Sequence, residues 1–156
     1  MTQLTLTHAR AIVRATLTTG REESMMPLTV AVLDAGGHLV ALEREDGSGI
    51  MRVEIAVGKA YGALGFGQAS RTIRDRLADR PNFVSGLSAA SGGRFVPVPG
   101  GVLVRLDDVD GPIIGAVGVS GDTSDKDEYC AILGVRAAEL LPEPAEPFDA
   151  WRDSSL

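Results

Sequence analysis

Only one of the 156 residues is cysteine, Cys130, and only two are histidine, His8 and His38. A single thiol excludes an intrachain disulfide framework and permits a reducing compartment. Two distant histidines with one cysteine exclude a structural zinc site. Aromatic residues make up only 4% of the chain, so its core has to be built from Val, Ile, Leu and Ala. Acids outnumber bases, with a net charge of −6 and a pI near 4.9. That balance argues against nucleic acid or a membrane surface as partner, since both select basic proteins. No apolar run approaches membrane-spanning length. The start shows no basic segment followed by an apolar one, so the sequence reads as cytoplasmic. HExxH, GxSxG and Walker-type loops are all missing.

What is present reads as one folded domain. The hydrophobic content of 44% and charged content of 23% are ordinary for a globular chain. Leu6, Ala9, Ile12, Val13 and Leu17 recur at helical spacing and predict a helix from about Thr5 to Glu23, with Thr5 or Thr7 as its cap. Leu28 to Leu33 and His38 to Arg44 form two strands around Asp34-Ala35-Gly36-Gly37, a hairpin signal because Gly-Gly tolerates positive φ. A second helix follows from about Ile50 to Leu64. It is rich in small residues, and Gly58 and Gly62, four apart, share one face. Glycine costs about 1 kcal/mol in a helix interior, so these positions imply close approach of a sheet, a partner helix or a flat ligand.

A charged helix is expected at Ser70 to Ala78, where Arg71, Arg74, Arg76 and Arg80 interleave with Asp75 and Asp79 as a solvated, salt-bridged face. An apolar turn (Phe83 to Leu87) and a flexible SAASGG connector (Ser88 to Gly93) lead to strands at Phe95 to Val98, Gly101 to Leu106 and Pro112 to Val119. A last helix runs from Ser124 to Leu141. Residues 1–141 thus read as the domain, and the Pro-rich, acidic residues 142–156 as an extended arm. Five strands joined mostly by hairpins, with helices before, between and after, predict an α+β fold around an antiparallel sheet.

Candidate chemistry is spread along the chain. His38 leaves a tight turn and reads either as an ordinary strand-start residue or as an axial iron ligand. His8, in the first helix, offers the same alternatives. Pro99-Gly100-Gly101 leaves the backbone bare, suiting a tight turn or a closely approaching ligand. Ser120 and Gly121 belong to the loop joining the last strand to the last helix; its N–H groups and those opening the helix could face a carboxylate, although Asp122, Asp125, Asp127 and Glu128 already complement the dipole. Glu54 and Lys59 are acid/base candidates on the second helix. They are five residues apart and do not form one tight helical pair. Tyr61 lies beside Lys59, while Arg94 and Phe95 offer a cation and a stacking ring.

The segments LTVAVLDAGGHLVALEREDG, RFVPVPGGVLV and IIGAVGVSGDTSDKDEYCA together resemble the GlcG/HbpS-like haem-binding family, also found as the C-terminal domain of some corrinoid adenosyltransferases. The resemblance spans about Leu4 to Leu141. It implies a profilin-like or PAS-like five-stranded antiparallel sheet flanked by helices, with the Pro-Gly-Gly segment bordering the ligand pocket. Ile55-Ala56-Val57-Gly58-Lys59-Ala60 matches the family's Ile-Ala-x-x-Lys-Ala pattern, and Asp127 aligns with the acid after its Ser-Gly loop. Tyr61-Gly62 departs from the pattern, where a small residue followed by Thr or Tyr is expected.

The implied function is binding of a small ligand, haem or a related tetrapyrrole, with haem degradation open as a further activity. Its pocket would lie between subunits or among the second helix, the Pro-Gly-Gly loop and the Val-Ser-Gly loop. His38, Tyr61, Phe95, Pro99, Gly100, Gly101, Ser120 and Gly121 would hold the ligand, with His38 or His8 on the metal. Two readings from other classes stand beside it. One is a cofactor-independent lyase, isomerase or hydrolase of a small organic acid, using Lys59, Glu54, His38 or Asp127 as acid and base. The other is a non-catalytic assembly module. The small-residue helix and glycine loops suit a homo-oligomer in each case.

Overall fold

A computed structural model describes residues 3–156. The order is α1 (Leu6–Glu22), β1 (Thr29–Asp34), β2 (Leu39–Arg44), α2 (Arg52–Phe66), α3 (Ser70–Arg76), α4 (Pro81–Ala90), β3 (Gly101–Arg105), β4 (Ile113–Ser120), α5 (Ser124–Ala137) and β5 (Leu141–Glu143). The five strands form one antiparallel sheet in the order β2-β1-β4-β3-β5. Strand periodicity divides the core into two layers. Val30, Val32, Val102, Val104, Val117 and Val119 point to one face, where α1 and α5 supply Ile12, Val13, Ile132 and Val135. Leu33, Leu103 and Ala116 point to the other, against Ala60 and Ala63 of α2. The fold is the expected α+β open sheet.

Close packing of α2 on that second face depends on small residues. A side chain at Gly118 of β4 would collide with the carbonyl of Ala56, so α2 lies directly on the strand. Gly58 and Gly62 do something else. They face Val96 and Phe95, and a Cβ at Gly62 would stand 3.0 Å from the Phe95 ring. Their bare face receives the 94–98 segment, while the alanines of α2 meet the sheet.

The fifth strand is not the expected one. Pro97 and Pro99 lack the N–H that a ladder needs, and the Val96 N–H instead donates to the Gly58 carbonyl of α2 at 3.3 Å. The edge beside β3 is taken by β5, with Leu103 opposite Glu143 and Arg105 opposite Leu141. The C-terminal residues therefore do not form a free arm. Trp151 stacks on Tyr129 of α5 at 3.7 Å between ring centroids. Arg152 pairs with Glu23 at 2.7 Å, and Arg136 with Glu146 at 2.9 Å. The apolar turn at Phe83 and half of the SAASGG connector belong to α4, which Pro81 opens. Helix α5 stops at Ala137, and Glu139 turns the chain at φ 60° into β5.

Candidate functional site

Two distinct constellations emerge around α2. The first is a closed polar cluster at the end of β4. Lys59 has a side chain only 1% exposed, and its Nζ donates to the Val119 carbonyl at 2.8 Å and to Asp127 Oδ2 at 3.1 Å. Asp127, in the first turn of α5, accepts the Asp122 N–H on Oδ1 at 2.9 Å. Burial pulls the Lys59 amine below its usual range and pushes the Asp127 carboxyl up, each opposed by attraction to the other. Seven residues before Lys59 on the same helix, Arg52 donates to Ser120 Oγ at 3.0 Å.

The Pro-Gly-Gly loop wraps this lysine. At Gly100, with φ +120°, a Cβ would stand 2.9 Å from Lys59 Nζ, and at Gly101 it would collide with the Lys59 carbonyl. Gly121 packs the same way against the Pro27 carbonyl and Leu28. The space among α2, the Pro-Gly-Gly loop and the Val-Ser-Gly loop, where the sequence places a pocket, is filled by the Lys59 side chain. Gly100 and Gly101 shape that filling, with Pro99 preceding them in the loop, while Ser120 and Gly121 engage Arg52 and the Pro27–Leu28 segment.

The second constellation is an open apolar cleft of about 240 Å³ between α2 and α4. Its walls are Tyr61, Phe66, Leu87 and Phe95, and its floor is Gly62 and Gly65. Phe66 stacks on Phe95 at 5.7 Å. Arg94 is the one charged residue of the lining, and its guanidinium lies over the Tyr61 ring at 4.0 Å. A shallower hollow of about 170 Å³ adjoins it through Tyr61 and Gly65 and reaches Gly36 and Gly37 of the β1–β2 turn. His38 follows that turn. Its side chain is 82% exposed, and Nδ1 lies 3.2 Å from Asp34 Oδ1, which engages one ring nitrogen and leaves Nε2 without a partner among the described residues.

The remaining candidates lie apart from both. His8 is on α1, across the sheet from the cleft. It completes a capping box in which Thr5 Oγ1 accepts the His8 N–H at 3.1 Å and His8 Nδ1 accepts the Thr5 N–H at 3.4 Å. Glu54 is exposed in the first turn of α2 and meets neither Lys59 nor any other cation among the described residues. Of the residues singled out from sequence, Tyr61, Gly62, Arg94 and Phe95 line the cleft, with His38 beyond its margin. Phe66, Gly65 and Leu87 were not singled out from sequence, although Phe66 and Gly62, four apart, share a helix face.

Sequence reading took Glu128 only for an acid complementing the helix dipole and did not foresee its burial. This side chain is fully buried, neither carboxylate oxygen has a hydrogen-bond partner, and Arg71 of α3 pairs with it at 3.2 Å. Burial raises its pKa to about 7, against the pull of Arg71. The arginine face of α3 is thus only partly a solvated one. Arg74 pairs outward with Asp75, whereas Arg71 turns inward. Among the described residues, no group of three or more His, Cys, Asp or Glu side chains is placed to hold a metal ion, and no helix is long and apolar enough to cross a membrane.

A five-stranded open sheet with an aromatic-walled cleft on one helical layer is the class of protein these features define. Residues 4–136 match the family of haem degrading proteins called HbpS-like, and the chain belongs to it. A relative described as an uncharacterized 15.0 kDa protein from the dhaT-dhaS intergenic region of Citrobacter freundii is 33% identical over 109 residues, which are 70% of this chain and 74% of that one. A double mutant of HbpS from Streptomyces reticuli superposes with a TM-score of 0.72 at 26% identity, over 87% of each chain. A PduOC:heme complex shares the fold, with a TM-score of 0.77 at 24% identity over 88% of this chain and 96% of that one.

Proposed function

We propose that this protein binds haem or a closely related tetrapyrrole in the cleft between α2 and α4. The observation that carries the reading is the cleft's chemistry: three aromatic side chains, Tyr61, Phe66 and Phe95, over a glycine floor. Flat aromatic walls gain dispersion and stacking from a flat macrocycle, and the bare backbone at Gly65, where a Cβ would meet nothing within 4 Å, lets it come close to the helix. Family membership and the relative solved with haem support the same ligand. At about 240 Å³ the cleft is smaller than the ~300–1,000 Å³ that encloses a typical ligand. One subunit therefore covers part of the macrocycle, and a second copy in a homo-oligomer covers the rest.

The residues fit the group in kind. A neutral imidazole is a good iron ligand, and His38, which follows the Gly36-Gly37 turn that lines the adjoining hollow and keeps Nε2 free of protein partners among the described residues, is assigned that role. Bound haem would supply redox chemistry at its iron. The chain's own residues stack the ring, exclude water from one of its faces and present the imidazole. Lys59 and Asp127 are assigned a structural role, because the loops close over them.

The test is a hemin titration of the purified apo-protein by absorbance, with native mass recorded alongside. A saturable Soret shift, with a mass above that of one chain, is expected. Non-saturable adsorption would refute the reading, and a strict monomer in the loaded state would refute the shared pocket.

A further inference from the structure

We infer that Arg94 reads a carboxylate on the edge of the bound ligand, so that the cleft selects tetrapyrroles with free acid side chains over uncharged ones. This rests on the proposed tetrapyrrole site and specifies how that site discriminates. Four observations place the residue. Arg94 is the one charge on an otherwise apolar cleft. It is exposed, and among the described residues no carboxylate pairs with it. Its Nε is fixed by donation to the Ser91 carbonyl at 3.0 Å, which leaves the terminal N–H groups without a protein partner. Finally, its guanidinium rests over Tyr61 at 4.0 Å, at the mouth where a flat ligand would enter.

The backbone explains why the side chain lies there. Gly92 and Gly93 carry φ of +66° and +84°, a left-handed pair that side-chain-bearing residues avoid. They turn the chain sharply out of α4 and bring Arg94 back over the cleft. Other exposed arginines, among them Arg10, Arg14 and Arg76, also lack an acid partner, so it is the placement at the cleft that sets Arg94 apart. Held over an aromatic ring with its terminal N–H groups open, it is arranged for a planar carboxylate, which guanidinium binds through two parallel N–H···O bonds. A ligand whose apolar ring stacks on the cleft walls and whose acid side chain reaches the rim satisfies both halves at once.

The experiment compares hemin with its dimethyl ester, both presented from the same dilute detergent, on wild-type protein, Arg94→Gln and Arg94→Lys. Arg94 is exposed, so the variants are expected to fold as the parent does, which circular dichroism verifies. A charge-assisted bond at a partly wet site corresponds to roughly tenfold in affinity. Wild type should therefore prefer hemin to the ester by about that factor. Arg94→Gln should lose the preference by weakening hemin alone, and Arg94→Lys should fall between. Equal weakening of both ligands, or no weakening, would overturn the inference while leaving the tetrapyrrole site standing. Failure of wild type to bind hemin saturably would remove the site and the inference together.

Discussion

At the residue scale, Lys59 and Asp127 show how a buried charge is kept. Each has left water almost completely, and each is held by one opposite charge and one backbone partner. Removing one member strands the other, which costs about 3–5 kcal/mol for buried pairs. Lys59→Met should therefore destabilise the protein by that much in urea denaturation. The double variant with Asp127→Asn should lose clearly less than the sum of the singles, and strict additivity would show that the two charges do not stabilise each other. His38 is the opposite case. With its ring 82% exposed, His38→Ala should shift stability by less than about 0.5 kcal/mol yet abolish the hemin Soret shift. An unchanged haem spectrum would remove His38 as the ligand. Sequence singled out Lys59 and Asp127 but not their pairing, since they stand on different helices and only the closing of the β4–α5 loop brings them together. His8 illustrates the converse: Thr5 was legible as a cap, and the histidine three residues on belongs to that cap.

At the element scale, α2 and α5 carry the information that periodicity alone could not resolve. Gly58 and Gly62 of α2 signalled a close approach, but not of what; the structure assigns it to Val96 and Phe95, held in place because Pro97 and Pro99 deny that segment a strand. Helix α5 contributes Glu128, whose burial opposite Arg71 of α3 has a pH signature. Arg74 also attracts its charge and Asp125 repels it. The folded pKa near 7 exceeds the ordinary 4.5, so the sign is that of a destabilising charge. Below pH 4.5 the group is neutral in both states. As pH rises from 4.5 to 7 the unfolded chain ionises first and stability falls, by up to about 3 kcal/mol. Urea melts at pH 5 and pH 8 should show this decline. Glu128→Gln should flatten it, and Arg71→Gln should steepen it. A Glu128→Gln variant with the parental slope would assign the decline to other groups.

At the scale of the whole molecule, most of the architecture was legible because short apolar runs and the hairpin glycines are local signals. Four of five strands and the main helices stand where the residues place them. The fifth strand was not, because Leu141–Glu143 is too short and too close to prolines to announce itself; it exists because β3 offers it a free edge. The packing of Trp151 on Tyr129 was equally hidden, being a contact between residues far apart in sequence and surrounded by acidic, Pro-rich chain. Trp151→Ala should release the C-terminal segment and cost about 3–5 kcal/mol if the tail is integral to the core. A loss under 1 kcal/mol would identify it as a loosely attached arm after all. The cleft was legible only in part. Tyr61, Phe95 and Arg94 were marked from sequence, whereas its depth depends on Gly65 and on α4, a helix read as a turn and a connector.

The central claim is that the tetrapyrrole lies in this cleft, and Gly65 tests it most directly. A Cβ at Gly65 meets nothing within 4 Å, so the floor has room for a side chain; Gly65→Leu should occupy the cleft and favour the helix by roughly 1 kcal/mol. Hemin titration of wild type and Gly65→Leu, both checked by circular dichroism, should give saturable binding in the first and none in the second. Equal binding by a correctly folded Gly65→Leu protein would place the ligand elsewhere and contradict the account.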